Sequence, residues 1–273
     1  MAPIITLTTD LGLTDAYVAA MKGVILGINP EAKLVDICHT IKPQNIPQAA
    51  FVLSQAYPFF PEGTIHVVVV DPGVGTRRRA IILKTKLASF IAPDNGVLSY
   101  VIQQSSAKPA GGDFSQQREL EPGLEAVAIT KPRFWRPTVS PTFHGRDIFA
   151  PVAAWLSLGL PLTDFGEVIT SVTMLPLPQP YQAADGSIVG HIIHIDSFGN
   201  LITDLRGDDL PQAKQGITIE VGNHLISGLS RTYADGSGLL ALIGSDGYLE
   251  IALKDGNASA LLDAEVGDEV KIR

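Results

Sequence analysis

The chain has 273 residues, 45% of them hydrophobic and 18% charged, with a formal net charge of −8. That length allows about two domains with a sizeable core, and that composition excludes intrinsic disorder. Its short basic run, Arg77-Arg78-Arg79, is not the basic stripe of a nucleic-acid binder, and no apolar stretch reaches the roughly 18 residues of a membrane span. The mean hydropathy of +0.22 is high for a soluble monomer and points to surface buried between subunits. The single cysteine, Cys38, excludes an internal disulfide and a multi-cysteine metal site. It fits a reducing cytosol, so a cytoplasmic protein is expected. The opening MAPIITLTTD has no basic region and no long apolar stretch, and so does not read as a signal peptide.

The first half alternates. Residues 3–8 read as a strand, and residues 15–26 as a helix whose apolar Val18, Met21, Val24 and Ile25 recur at helical spacing. Asp15 is placed to cap that helix. Residues 33–37 read as a second strand and 45–56 as a second helix. Residues 64–70 (TIHVVVV) form a near-continuous apolar run, typical of a parallel strand buried on both faces. Strands at 80–83 and 90–92 follow, then the turn signal Asn95-Gly96. Residues 103–123 are polar and rich in Gly, Ser and Gln, and read as a surface loop. Residues 147–158 read as a third helix stopped by Gly159. This alternation predicts an α/β sheet flanked by helices over residues 1–174.

Prolines crowd residues 175–186 (LPLPQPYQAADG), which read as a linker. Beyond it, short apolar segments at 187–195, 201–204, 217–221, 239–243, 248–252 and 269–272 alternate with glycine turns. Residues 187–273 are therefore expected to form a smaller antiparallel β-barrel or sandwich.

Ligands of open α/β sheets bind beyond the carboxyl ends of strands. Three clusters fall there. Asp10, in TTDLGLTD, has the chemistry to accept sugar hydroxyls or to ligate a metal. Asp71 and Arg78 flank the glycine turn DPGVGTRRR, which is neither a P-loop nor a dinucleotide fingerprint. A carboxylate and a guanidinium can share a site across such a turn, or the arginines can simply be solvated. His144 lies in a loop beside Gly145, with Arg146 and Asp147 able to pair. His39, His66, His191, His194 and His224 make no metal signature. In the second half Asp196, Phe198 and Asn200 combine an ammonium acceptor, an aromatic ring and an amide, or form an ordinary hairpin turn.

Together these segments carry a resemblance. TTDLGLTDAYV (8–18), VDICHTIKPQN (35–45), VVVVDPGVGTRRR (67–79), APDNGVLS (92–99), TFHGRDIFAP (142–151), IDSFGN (195–200) and LIGSDGYLEIA (242–252) run in order through nearly the whole chain. The sequence resembles the S-adenosyl-L-methionine hydroxide adenosyltransferase family, or SAM hydrolases, relatives of the fluorinating and chlorinating adenosyl transferases. Residues 103–141 match poorly.

The resemblance implies an α/β domain followed by a β-barrel. It also implies a homotrimer with active sites between the first domain of one subunit and the second domain of the next. The implied reaction splits S-adenosyl-L-methionine into adenosine and L-methionine by attack of water or hydroxide at ribose C5′, with no cofactor and no metal. By motif the family's Asp-Arg-His triad falls on Asp71, Arg78 and His144, position favouring Arg78 among the three arginines. Asp10 matches the residue holding the ribose hydroxyls, and Asp196 the carboxylate that takes the methionine ammonium. Phe198 and Asn200 match an adenine-side pair, and Ser245 a residue near the methionine carboxylate. The halogenating relatives carry an arginine where this chain has Asp246, and the fluorinating relatives carry a tyrosine where it has Asp71, a serine where it has Gly145, and an extra loop. A carboxylate beside the nucleophile repels a halide and orients water, which places the chain in the hydrolytic branch.

A carboxylate near His144 favours imidazolium. Alternative readings of the same residues are a metal-dependent nucleotide phosphohydrolase using Asp10 and Asp15, a non-catalytic adenosyl-ligand binding module, and a halide-using enzyme.

Overall fold

A computed structural model describes residues 2–106, 117–210 and 216–273. The chain divides into two compact units, Met1–Pro176 and Leu177–Arg273.

The first unit is built on strands β1 (Ile4–Thr9), β2 (Lys33–Cys38), β3 (Thr64–Val69), β4 (Ala80–Lys84), β5 (Ala88–Pro93), β6 (Gln117–Glu119), β7 (Glu125–Ile129), β8 (Gly166–Ile169) and β9 (Ser171–Thr173). Helices α1 (Tyr17–Ile28), α2 (Ile46–Ala56), α3 (Ser99–Ser105) and α4 (Ala150–Ser157) accompany them. Seven strands form one sheet in the order β2-β1-β3-β5-β4-β7-β8. The apolar run 64–70 supplies β3, which is paired in parallel on both sides. Its side chains alternate between two cores: Val67 and Val69 enter one, Val68 and Val70 the other. That is why the run is continuously apolar rather than alternating.

The sheet is parallel over β2, β1, β3 and β5 and antiparallel over the rest. The reason is local. Only residues 85–87 separate β4 from β5, and the Thr85 N–H donates to the Ala88 carbonyl at 2.9 Å. So short a connection can join only antiparallel neighbours. Two expectations change. Asp15 does not cap α1, whose N-cap is Ala16 with no side-chain bond. Asn45 does cap α2, its side chain accepting the Gln48 N–H at 3.0 Å. The stretch 103–123 is not one loop: it contains the end of α3 and the strand β6, paired with β9. Residues 107–116 within it lie outside the described residues.

The second unit contains β10 (Tyr181–Gln182), β11 (Ile188–Ile195), β12 (Leu201–Arg206), β13 (Thr218–Val221), β14 (His224–Ser227), β15 (Leu239–Ile243), β16 (Tyr248–Leu253) and β17 (Glu269–Ile272), with one short helix, α5 (Ala258–Leu262). The antiparallel order β14-β13-β17-β11-β12-β16-β15 curls into a nearly closed barrel around Ile192, Leu201, Leu205, Ile219, Leu249, Ile251 and Val270. β10 adds to β11, so the proline-rich stretch carries a strand of this unit. β14 and α5 have no counterpart in the sequence reading; β14 buries only Ile226, too little apolar periodicity to register.

His66 lies mid-way along β3 with no exposed surface, stacked on Phe90 and edge-on to Tyr57 and Phe60. Thr6 Oγ1 meets its Nδ1 at 2.7 Å, and burial pushes its pKa down to about 4. The folded state therefore resists a proton that the unfolded chain takes up near 6.5, so this contribution is intact above 6.5 and is lost as pH falls from 6.5 towards 4. The loss approaches about 3 kcal/mol. In urea denaturation at pH 7 and pH 5, the wild type is expected to lose more stability than His66→Phe; equal losses would remove His66 as the sensitive group.

Candidate active site

The carboxyl end of β3 delivers Asp71, and the strand start of β4 delivers Arg78. β5 lies between those two strands in the sheet and runs antiparallel to β4. A chain leaving the end of β3 and entering β4 must therefore turn back along the same sheet edge. Residues 71–79 make that turn. Gly75 has φ +77°, and a Cβ there would stand 2.5 Å from the Pro141 carbonyl oxygen. Only glycine lets this turn approach the segment leading to His144.

The result is one connected group. Arg78 Nε donates to Asp71 Oδ1 at 2.9 Å, and its terminal nitrogen also bonds Asp71 Oδ2. The same guanidinium meets His144 Nδ1 at 2.8 Å and lies 5.4 Å from the centre of the Phe149 ring. The three arginines have distinct fates. Arg77 is exposed, Arg78 joins Asp71 and His144, and Arg79 pairs with Asp94.

The loop carrying His144 leads into a wide π-type turn, Gly145–Phe149, before α4. The helix expected from 147 is thus displaced, and Pro151 explains why. Having no N–H, it cannot satisfy the Asp147 carbonyl, which instead accepts the Arg136 N–H at 2.9 Å. The fully buried Asp147 carboxylate is held by Arg146 at 2.7 and 2.9 Å and by the Ser140 N–H at 2.8 Å. Gly145 is hemmed in: a Cβ would lie 3.2 Å from Met21, Phe143 and Val69.

The histidine's state follows from its partner. An arginine only donates, so His144 Nδ1 must accept and the ring carries its proton on Nε2. Burial, and then the Arg78 charge, hold the His144 pKa below its usual value, although Asp71 and Asp147 oppose this. The carboxylate's pull towards imidazolium, which by itself leaves the state of His144 open, is outweighed by burial and by the guanidinium between them.

Asp10 follows β1 in the same unit. Its Oδ2 accepts the Gln44 N–H at 2.8 Å, while Gly12 N–H donates to the His39 carbonyl at 2.8 Å. Asp15 is exposed. Among the described residues no three His, Cys, Asp or Glu side chains converge to hold a metal ion.

In the second unit, Asp196, Phe198 and Asn200 line a cavity of ≈ 870 Å³ together with Tyr233 and Asn257. Asp196 organises its own turn, accepting the Phe198 and Asn200 N–H groups at 2.9 Å and the Asn200 amide at 3.0 Å. Gly199 must be glycine, with φ +84° and a Cβ position 2.2 Å from Asn257. Phe198 is 75% exposed, so its ring is presented rather than packed. Ser245 is not among the residues lining this cavity; its hydroxyl lies 3.4 Å from Asp246. Sequence reasoning missed Tyr233, whose hydroxyl donates to the buried Glu250 at 2.6 Å. That bond drives the Tyr233 pKa up to about 12, and burial raises that of Glu250. A tyrosine in a polar turn and a glutamate within a strand gave no joint signal.

Family models described as the SAM hydroxide adenosyltransferase N-terminal and C-terminal domains match residues 5–166 and 190–271. The chain belongs to the SAM hydroxide adenosyltransferase family. A relative from Salinispora arenicola (strain CNS-205), named (R)-S-adenosyl-L-methionine hydrolase, is 36% identical over 273 residues, spanning 99% of this chain and 97% of its own. A fluorinase from Nocardia brasiliensis is 28% identical over 306 residues, spanning 99% and 97%. The crystal structure of an uncharacterized conserved protein from Thermotoga maritima superposes with a TM-score of 0.86 at 36% identity, covering 98% of this chain and 99% of that one. The chain is thus similar to both a hydrolase and a fluorinase, with the higher identity to the hydrolase.

NMR titration of His144 is expected to give a midpoint below 6.5, and Arg78→Ala to raise it, since the guanidinium is lost while Asp71 remains. A midpoint at or above 6.5 in the wild type would contradict the neutral ring.

Proposed function

We propose that the chain hydrolyses S-adenosyl-L-methionine to adenosine and L-methionine, with Asp71, Arg78 and His144 holding the attacking water. The observation that carries this reading is the Arg78 guanidinium shared between the Asp71 carboxylate and the Nδ1 of a neutral His144. The sulfonium makes methionine a neutral leaving group, so the barrier lies with the nucleophile: bulk water is weak, with a pKa of about 15.7. Arg78 places a fixed positive charge where hydroxide character develops. His144 offers an N–H from Nε2. Of the three groups, Asp71 alone has acceptor capacity left, because a carboxylate offers about four lone-pair sites. Water oxygen bonds to C5′, the C5′–S electron pair goes to sulfur, and the proton of water leaves through Asp71 to solvent. Holding the water in line with that bond contributes several kcal/mol, within the roughly 7–11 available from orientation.

The remaining assignments belong to the same proposal. Asp10 binds the ribose hydroxyls, Phe198 and Asn200 the adenine, Asp196 the methionine ammonium and Ser245 the methionine carboxylate. A homotrimer with its active sites at subunit interfaces accompanies them. The exposed Phe198 ring and the division of these residues between two compact units support it. The sulfonium configuration is taken as (R), after the hydrolase relatives.

The metal-dependent phosphohydrolase is not favoured. Asp15 is exposed, and Asp10 is tied to the Gln44 backbone.

Both sulfonium epimers of S-adenosyl-L-methionine, incubated separately with the protein in ¹⁸O water, test the proposal. Adenosine labelled at its 5′-oxygen is expected in equimolar yield with methionine, faster from the (R) epimer and unaffected by EDTA. Arg78→Ala is expected to lower kcat by about 10²–10³, the usual cost of removing one oxyanion-type donor. Unlabelled adenosine, or none, would overturn the hydrolase reading. An Arg78→Ala variant changed only in affinity would point to a binding module instead.

A further inference from the structure

The segment APDNG at the end of β5 takes no part in the chemistry above, yet it lies between the two strands that carry the acid and the arginine. Its two polar side chains reach in opposite directions. Asn95 Nδ2 donates to the Val70 carbonyl at 2.9 Å, gripping the residue just before Asp71. Asn95 Oδ1 accepts the Val97 N–H at 3.2 Å, which fixes which end of the amide faces Val70. On the other side, Asp94 Oδ2 accepts Arg79 Nε at 2.8 Å, and the Asp94 N–H donates to the Arg79 carbonyl at 2.9 Å. Arg79 is the immediate neighbour of Arg78.

The anchor itself is rigid. The Asp94 side chain is 3% exposed, and its Oδ1 accepts the Thr173 N–H at 2.7 Å. Arg79 is further tied to the Ser171 carbonyl at 2.9 Å. A charge-assisted pair this withdrawn from water is costly to break, because the carboxylate would be left buried without its counter-ion.

We propose that Asp94 and Asn95, with Arg79, are positioning residues: the tip of β5 is a two-sided staple that sets the spacing between Asp71 and Arg78. The turn 71–79 is exposed at Pro72 and at 75–77, so it offers little of its own to fix that spacing. The staple instead holds the backbone on both sides of it. Arg79 fixed on Asp94 also keeps a second guanidinium away from Asp71. A looser staple lets Arg78 drift from both Asp71 and His144, and the hydrogen bonds it makes to them are steeply distance-dependent.

The staple is tested with Arg79→Met, Arg79→Lys, Asn95→Asp and Asn95→Ala in the full chain. Asn95→Asp keeps an oxygen for the Val97 N–H and removes the amide donor to Val70 but adds a charge, so Asn95→Ala, which removes the donor without adding one, is expected to match it in kcat and His144 midpoint and carries the test if Arg79→Met does not fold. Asn95→Asp and Arg79→Met are expected to lower kcat at least tenfold with KM within about threefold, and Arg79→Lys to recover most of the loss. The groups facing His144 are Arg78, Asp71 and Asp147. Withdrawal of Arg78 is therefore expected to move the His144 NMR midpoint upward in both impaired variants. Wild-type kcat in both, or a lowered kcat with an unmoved His144 midpoint, would overturn the positioning role. The kcat readout rests on the hydrolase reading, whereas the NMR readout does not. A wild type inactive on S-adenosyl-L-methionine whose His144 midpoint still shifts in the variants would refute the hydrolase and keep the staple.

Discussion

The guanidinium of Arg78 sits between a carboxylate and an imidazole, with only 11% of its side chain exposed. A charge so far withdrawn from water persists only when its donors are engaged. Here they are engaged by two groups distant in sequence, Asp71 from the end of β3 and His144 from the loop before α4. Much of the local architecture serves that meeting. The hairpin of β4 and β5 returns Arg78 to the edge where β3 ends, and Gly75 allows the turn to touch Pro141. Pro151 widens the helix start behind His144, and the buried Asp147, clamped by Arg146 and Arg136, holds that widened turn.

The second unit handles charge differently. Its cavity contains Asp196, whose carboxylate accepts three hydrogen bonds from its own turn. Glu250 lies close enough that the Asp196 charge helps raise its pKa, and Tyr233 bonds to it. Two carboxylates so placed add negative charge to the region, where Lys254, on the cavity wall, donates to the Ala234 carbonyl at 3.4 Å. Such a wall favours cationic ligands over anionic ones.

The fold is legible in the sequence where one physical signal dominates. β3 was visible because a strand buried on both faces must be apolar throughout. The barrel was visible because its strands recur between glycine turns. The fold is not legible where tertiary context decides. Asp15 has the right chemistry for a cap, yet the helix begins one turn-residue later at Tyr17, beyond Ala16. The antiparallel half of the sheet follows from the three-residue connection 85–87, which strands read at 80–83 and 90–92 stretch to six residues. Among the site residues, Asp71, Arg78 and His144 were named from motif, and their mutual contacts required the fold. The protonation of His144 stays open in the sequence, which shows that a carboxylate is near but not that the ring is buried or that a guanidinium intervenes. Tyr233 and Glu250 meet only through pairing within the barrel, so no linear pattern joins them.

A shared guanidinium also bears on why the site suits water. Both Asp71 oxygens are used by Arg78, and the His144 acceptor nitrogen is used by the same side chain. No member of the group is independent: moving Arg78 changes the acceptor capacity of Asp71 and the tautomer of His144 together. Groups coupled in this way act as a unit, and their contributions do not add. The same coupling bears on halide chemistry. A halide ion needs donors and no adjacent anion, whereas here a carboxylate lies against the arginine and Gly145 leaves its neighbours only 3.2 Å from any added Cβ. In the proposed hydrolysis a neutral water tolerates the carboxylate and benefits from it, because one of its protons must go somewhere as the C5′–O bond forms.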